Sequence, residues 1–233
     1  MGRTAVAVGA TLVALAFAFS TFERWLARRR RHELAWSAAL AMFVVAAAAL
    51  ATGAGMGWSG AAFRVFYLFG AILDVPFLAL GTVYLLLGRR AGDRAAVVVA
   101  LLGAFAAGVV VQAPFTAAIP RHTLVQGSKV FPVLPRVLAA VASGGGAVVI
   151  LVGAVWSIAR HRAVLANALI GAGTLVLGAS GLFNSVFDAM TAFAVALAIG
   201  IALVFGGYLV ATSAPAEQPS AGASVTRLRA RAG

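Results

Sequence analysis

The sequence predicts an all-α polytopic membrane protein with seven transmembrane helices, and three observations carry that prediction. Seven apolar stretches, at residues 5–22, 34–55, 61–87, 95–114, 137–158, 163–183 and 190–212, occupy most of the 233-residue chain. Each has about the 20 residues a helix needs to cross roughly 30 Å of hydrocarbon. The composition is 63% hydrophobic and 10% charged with a mean hydropathy of +1.02, where a soluble domain is about half apolar and a quarter charged. The 18 Lys and Arg residues lie, Arg64 apart, in the segments between the stretches or at the chain's ends. These features predict one membrane domain over residues 1–212 and a basic cytoplasmic tail over 213–233, rich in Ser, Ala and Pro and expected to be disordered.

The first stretch is preceded only by Arg3 and followed by Arg24 and Arg28 to Arg31. That asymmetry predicts a retained helix with its N-terminus outside. The alternative is a signal peptide, for which Ala16-Phe17-Ala18 loosely resembles a cleavage motif. Thirteen basic residues fall on one side of the predicted bundle: the five after the first stretch, then Arg89, Arg90, Arg94, Arg160, Arg162, Arg227, Arg229 and Arg231. Four fall on the other: Arg3, Arg121, Lys129 and Arg136. The positive-inside rule places the richer side and the C-terminus in the cytoplasm, as expected of a multi-pass protein of a bacterial cell membrane. Trp25, Trp36, Trp58, Trp156, Tyr84 and Tyr208 are placed near the two headgroup levels. The net charge of +12 is thus assigned to topology and anionic lipid rather than to nucleic acid.

The second and third stretches are joined by Gly55-Met-Gly57-Trp-Ser-Gly60. It fits the dinucleotide pattern G-x-G-x-x-G, but no strand precedes it, so the match carries no weight. The third stretch holds the most unusual residue. Asp74 lies about 13 residues from the outer end, roughly 20 Å down at 1.5 Å per residue. A carboxylate at the bilayer centre costs about 2.5–3.5 kcal/mol on insertion scales, so it should face the bundle interior or water. No Lys or Arg sits at that depth in another stretch. Pro76 follows two residues later and leaves the Ile72 carbonyl without its helical donor. A kinked helix beside a buried acid suits proton coupling or cation binding. The competing reading is a protonated Asp held by a neighbouring Ser, Thr or Asn.

Four more polar residues are candidates for an outer vestibule. Arg64 lies one turn inside the same helix, Gln112 near the end of the fourth stretch, and Asn184 and Asp188 between the sixth and seventh. An Arg64–Asp188 pair is one expectation; the other is that Arg64 snorkels to the headgroups. Asn167, one turn into the sixth stretch, reads as an interhelical hydrogen bond or a ligand contact. The segment 116–135 carries Pro120, Pro132 and Pro135, and reads as a connector, with a lid as the alternative. Ser143 and Gly144 to Gly146 in the fifth stretch, with Gly171, Gly173, Gly178 and Gly181 in the sixth, predict close helix packing.

A possible internal repeat emerges from the loops. Trp25-Leu-Ala-Arg-Arg-Arg-Arg-His-Glu-Leu34-Ala35 matches Trp156-Ser-Ile-Ala-Arg-His-Arg-Ala-Val-Leu165-Ala166 at an offset of 131, and Gly81-Thr-Val-Tyr84-Leu resembles Gly206-Gly-Tyr208-Leu. Two three-helix units of the same orientation, joined by the fourth stretch, would produce such matches. The competing account is chance agreement between Arg-rich loops.

Several chemistries are excluded or unsupported. There is no cysteine, so disulfides, thiolate metal sites and cysteine nucleophiles are absent. His32, His122 and His161 all lie in loops, and Lys129, the one lysine, lies in the outer segment. That removes a haem ligand at membrane depth and a Schiff base in the seventh helix. No Asp/Glu/His cluster is spaced for a metal and no histidine lies at membrane depth to activate a serine. The expectation is therefore no enzyme, no cofactor and no metal.

In topology and possible repeat the chain resembles SWEET/PQ-loop sugar transporters and microbial rhodopsins, both seven-span folds with the N-terminus outside. The Pro-Gln turn of the first is missing, since Gln112-Ala-Pro114 has the reverse order, and the retinal lysine of the second is missing too. The stretches Arg64-Val-Phe-Tyr-Leu-Phe-Gly-Ala71, Leu78-Ala-Leu-Gly-Thr-Val-Tyr84 and Asn167-Ala-Leu-Ile-Gly-Ala-Gly173 are similar to uncharacterised actinobacterial membrane proteins. That family implies no activity. The residues themselves point to a small permease or transporter with a site around Asp74, opening toward Arg64, Gln112, Asn184 and Asp188. The alternative is a sensor or accessory subunit that binds lipid, a pigment or another membrane protein.

Overall fold

The computed structural model describes residues 2–119, 126–160, 164–187 and 190–213; of residues 2–11, 13, 14, 178–187, 190–194, 197 and 211–213 it describes the backbone alone. Among the described residues there is no strand. The helices are α1 (Gly2–Arg28), α2 (Arg31–Met56), α3 (Gly60–Phe66), a π-helical turn (Tyr67–Leu73), α4 (Asp74–Gln112), α5 (Gly127–Val130), α6 (Val133–Ala159), α7 (Val164–Phe187) and α8 (Met190–Ser213). Arg31–Met56, the continuous run Gly60–Gln112 and Val133–Ala159 are each long and apolar enough to cross a membrane.

The 53-residue run Gly60–Gln112 is a hairpin rather than a rod. Gly88 has φ 79° and ψ −173°, a conformation that a side chain opposes and glycine accepts. The chain reverses there. Leu73 approaches Gly103, the Tyr84 ring lies against Gly92, and Arg64 reaches the carbonyls of Val110 and Ala113. The two arms, 60–87 and 89–112, coincide with the third and fourth apolar stretches of the sequence.

The tip of this hairpin is tied to the turn between α1 and α2. Asp93 accepts a hydrogen bond from the Tyr84 hydroxyl at 2.8 Å and pairs with Arg31, while Arg89 lies 3.8 Å away. The Tyr84 hydrogen bond, then the Arg31 guanidinium, hold the Asp93 carboxyl below the usual carboxylate range. Arg29 closes the turn at φ 53°, unusual for a side-chain-bearing residue, and its N–H bonds the Trp25 carbonyl at 2.7 Å.

The helices close into a ring. Helix α1 packs on α2, α2 on the first arm of the hairpin, that arm on α6, α6 on α7, α7 on α8, and α8 back on α1. The second arm lies against the outside of the first. The approach of α6 to α4 depends on small residues at heptad spacing: a Cβ on Gly146 would stand 3.0 Å from the Val75 backbone, and one on Gly153 would meet Thr82 and Leu86. Gly144 and Gly145, by contrast, face open space. Small residues thus set the α4–α6 distance, as they do where apolar solvent offers no drive to associate.

Two apolar cores cap the ring at opposite ends. Near the arginine-rich end, Phe17, Leu40, Phe43, Ile201, Val204 and Tyr208 join α1, α2 and α8. At the other end, Trp58, Phe63, Tyr67, Phe131 and Val130 gather with the α4 terminus. The segment expected as a connector therefore contributes to the core: Val130 and Phe131 are buried, and the Thr116 N–H bonds the Val130 carbonyl at 2.8 Å. Trp58, placed by sequence at the headgroup level, folds back over Gly53, as does Trp36 over Gly81, because glycine leaves room for an indole.

The ends of α1 and α6 each carry an arginine over a tryptophan ring. The Arg29 guanidinium lies 4.9 Å from the Trp25 ring centroid and that of Arg160 lies 4.5 Å from Trp156. The two pairs are related by the same offset of 131 found in the sequence.

Candidate functional site: a buried acid at a break in the helix

The break around Asp74 follows from its sequence. In an α-helix each carbonyl accepts from the N–H four residues on. Between Tyr67 and Leu73 the step lengthens to five, and the Asp74 N–H bonds the Phe69 carbonyl. In that register the donor for the Ala71 carbonyl would be the nitrogen of Pro76, which carries no hydrogen. Helix α6 supplies the missing donor: Ser143 Oγ donates to the Ala71 oxygen at 2.7 Å. A π turn, a proline and a crossing hydrogen bond thus meet within one turn of the acid. Such π segments recur at functional sites.

Asp74 lies between Gly70 and Leu78 on the face of the first arm that packs against α2. A Cβ on Gly70 would stand 3.0 Å from Ala46, and Trp36 Nε1 donates to the Leu78 carbonyl at 3.2 Å. The acid is 7% exposed, and its Oδ1 has no hydrogen-bond partner among the described residues. Burying a polar atom without a partner costs free energy.

The other sequence candidates fall into three places. Arg64 donates through one guanidinium nitrogen to the Val110 carbonyl and, at 2.8 Å, to that of Ala113, with its charge 4.2 Å from the Phe115 ring centroid. It thereby caps the last turn of α4, where unsatisfied carbonyls carry partial negative charge. In sequence the two carbonyls flank Gln112, whose side chain is exposed. Arg64 and Gln112 are both remote from Asp74, since ten residues of helix separate Arg64 from it, about 15 Å at 1.5 Å per residue. Asn167 is half-buried in the first turns of α7, near the arginine-rich end. Asn184 lies in α7 with its side chain outside the described set, and Asp188 lies outside the described residues.

Sequence reasoning overlooked a second buried acid. Glu33, in the first turn of α2, is 4% exposed, and its Oε2 has no hydrogen-bond partner among the described residues. Its neighbourhood is polar: Ser37 Oγ lies 2.9 Å from both Thr21 Oγ1 and the Glu33 carbonyl, and Thr21 and Ser37 are buried. The sequence offered one signal, an acid inside an arginine-rich turn that leads into an apolar helix. Trp36 was also assigned elsewhere. Its half-buried ring stands edge-on to Tyr208 at 6.4 Å and to His32 at 5.3 Å.

Among the described residues no group of three or more His, Cys, Asp or Glu is placed to hold a metal. No family model, curated protein or solved structure matches this chain.

Proposed function

We propose that this chain is a small membrane transporter of seven spans, with Asp74 as the group that binds its solute or coupling proton. The single observation that carries the reading is the Asp74 carboxyl, buried with Oδ1 unpartnered at a π turn that Pro76 prevents from reverting to a regular ladder. Ionisable groups inside membrane helices are expensive, and where they persist they mark ion, proton or solute pathways. A discontinuous helix at mid-depth is also how many transporters present polar groups to substrate.

The rest of the architecture supports the same account. A ring of six helices surrounds an axis, and the seventh rod, the second hairpin arm, stands outside it. That order supports two three-helix units, α1–α2–first arm and α6–α7–α8, joined by the second arm. The matched Arg29–Trp25 and Arg160–Trp156 pairs support the repeat as well. The excess of arginine on the side that carries these pairs supports a cytoplasmic assignment for it, with the N-terminus outside and the protein in a bacterial cell membrane.

The second reading, a sensor or accessory subunit, draws on one observation: Asp74 is nearly sealed, with Trp36 on one side of it and the Phe63–Tyr67–Phe131 cluster on the other. The two readings part on ligand binding. The test is thermal stabilisation of purified wild type and Asp74→Asn by sugars, amino acids, vitamins, cations and lipids at acid and neutral pH. A water-soluble compound that stabilises the wild type in a pH-dependent way, and not the variant, is the expected result. Stabilisation by lipids alone, equal in both proteins, would overturn the transporter reading.

A further inference from the structure

The two buried acids lie on opposite sides of one aromatic layer. Trp36 is one turn after Glu33 on α2, and its indole bonds the carbonyl of Leu78, one turn after Asp74 on α4. The layer is completed by Tyr208, edge-on to the indole. Glu33 is therefore on the arginine-rich side of Trp36 and Asp74 on the bundle side. Each carboxyl has an oxygen that is buried without a hydrogen-bond partner among the described residues. An oxygen in that state is satisfied by taking up a proton or by a group that arrives from outside the fold.

From this arrangement we propose that Glu33 is a second proton-binding site of the transporter, on the far side of the Trp36 layer from Asp74. It is the station through which the proton held at Asp74 exchanges with the arginine-rich face. The proposal rests on the reading of Asp74 as a binding group. The step is a simple transfer: the Asp74 carboxyl loses its proton, the Glu33 carboxylate gains it, and Glu33 then releases it to water at that face. Water or hydroxyl groups carry the proton past the indole when the layer opens. Ser37 Oγ, one turn after Glu33 on α2, lies 2.9 Å from both the Glu33 backbone carbonyl and Thr21 Oγ1, a pair of buried hydroxyls of the kind a relay can use.

Among the described residues, the charged and titratable groups at this end include the Tyr208 hydroxyl of α8, on which Arg24, Arg28 and Glu33 all act, with the Arg24 guanidinium 5.4 Å from its ring centroid; His32 neighbours Glu33 on α2. From α4 the layer receives Leu78 and Gly81, which do not titrate.

The test uses the full chain in liposomes, with protons as the probe. Infrared difference spectra between acid and neutral pH report the carbonyl band of protonated carboxyls, which histidine lacks. The expected result is a band lost in Glu33→Gln, kept in His32→Gln, and displaced in its titration midpoint by Asp74→Asn. Tryptophan fluorescence from a protein retaining only Trp36, in the His32→Gln background, should follow the same midpoint and lose its pH response in Glu33→Gln. Glu33→Asp keeps a carboxyl at the site and guards against a folding defect: its band should persist with a moved midpoint. A spectrum unchanged by Glu33→Gln would overturn the proposal. So would a Glu33 midpoint indifferent to Asp74→Asn, even if Asp74→Asn abolishes ligand stabilisation. Failure of ligand stabilisation in every protein, with the coupled midpoints present, would instead overturn the transporter reading alone.

Discussion

Removing the Ser143 hydroxyl tests the account of the helix break. The Ala71 carbonyl accepts from Ser143 Oγ at 2.7 Å, and the only backbone nitrogen in π register with it belongs to Pro76. Interhelical hydrogen bonds in membranes average about 0.6 kcal/mol with a maximum near 1.7, whereas a buried acceptor left without any donor costs about 1–3 kcal/mol. Ser143→Ala belongs near the overlap of the two ranges, at about 1–1.5 kcal/mol, because the proline removes the local substitute. Pro76→Ala restores an N–H at that position. In its background Ser143→Ala should cost about 0.5 kcal/mol or less, a coupling of about 1 kcal/mol between residues on different helices. Equilibrium unfolding of the four proteins of the cycle in mixed detergent micelles supplies the numbers. Equal costs of Ser143→Ala in both backgrounds would show that Pro76 does not orphan this carbonyl, and the explanation of the break would fall.

Three further outcomes follow from the packing and the charged tip. Gly146→Ala places a methyl 3.0 Å from the Val75 backbone and should lose about 1–2 kcal/mol in net stability, overpacking outweighing the better helix propensity, whereas Gly144→Ala, facing open space, should gain up to about 1 kcal/mol; thermal unfolding of both variants checks the opposite signs. Arg64→Met should destabilise by about 1.5–3 kcal/mol, since two carbonyls at the end of α4 lose a charged donor, and Arg64→Lys should recover only part of that, read in the same unfolding assay. Asp93 titrates below its unfolded value, so its contribution to stability is present at neutral pH and is lost as pH falls through the acid range below that value. A pH series of unfolding midpoints should therefore slope downward in acid for the wild type and more weakly for Asp93→Asn.

How much was legible in the sequence depended on whether a residue's surroundings were local. The helical rods were legible, because a run of apolar residues bounded by arginines needs no partner to declare itself. The hairpin was legible too: Gly88 stands at the edge of the Arg89–Arg90–Arg94 cluster that separates two apolar stretches. Asp74 and Pro76 announced a break, though not that the preceding turn would widen to π geometry or that Ser143 would supply the lost donor. Which face of α2 looks inward was illegible, because the helix is apolar nearly all round and its periodicity marks no side. For that reason Trp36 read as a headgroup anchor, and Glu33 passed as one more charge in a basic turn. Glu33 is buried and Trp36 half-buried where α1 and α8 close over this end, a contact between segments some 170 residues apart in the chain. Arg64 read either as half of an ion pair with Asp188, which lies outside the described residues, or as a charge snorkelling to the headgroups; among the described residues its partners are carbonyls at the end of its own hairpin, which no side-chain pattern encodes.

The absence of native cysteine makes the most direct test simple. Asp74→Cys places a single thiol at the proposed binding position. In membrane vesicles it should react with a small, charged, water-soluble methanethiosulfonate reagent, because a transport site must be open to water from one face in part of its cycle. A thiol that resists the reagent under all conditions in the membrane, yet reacts once the protein is denatured, would mean that water never reaches position 74, and the account of this protein as a transporter would be contradicted.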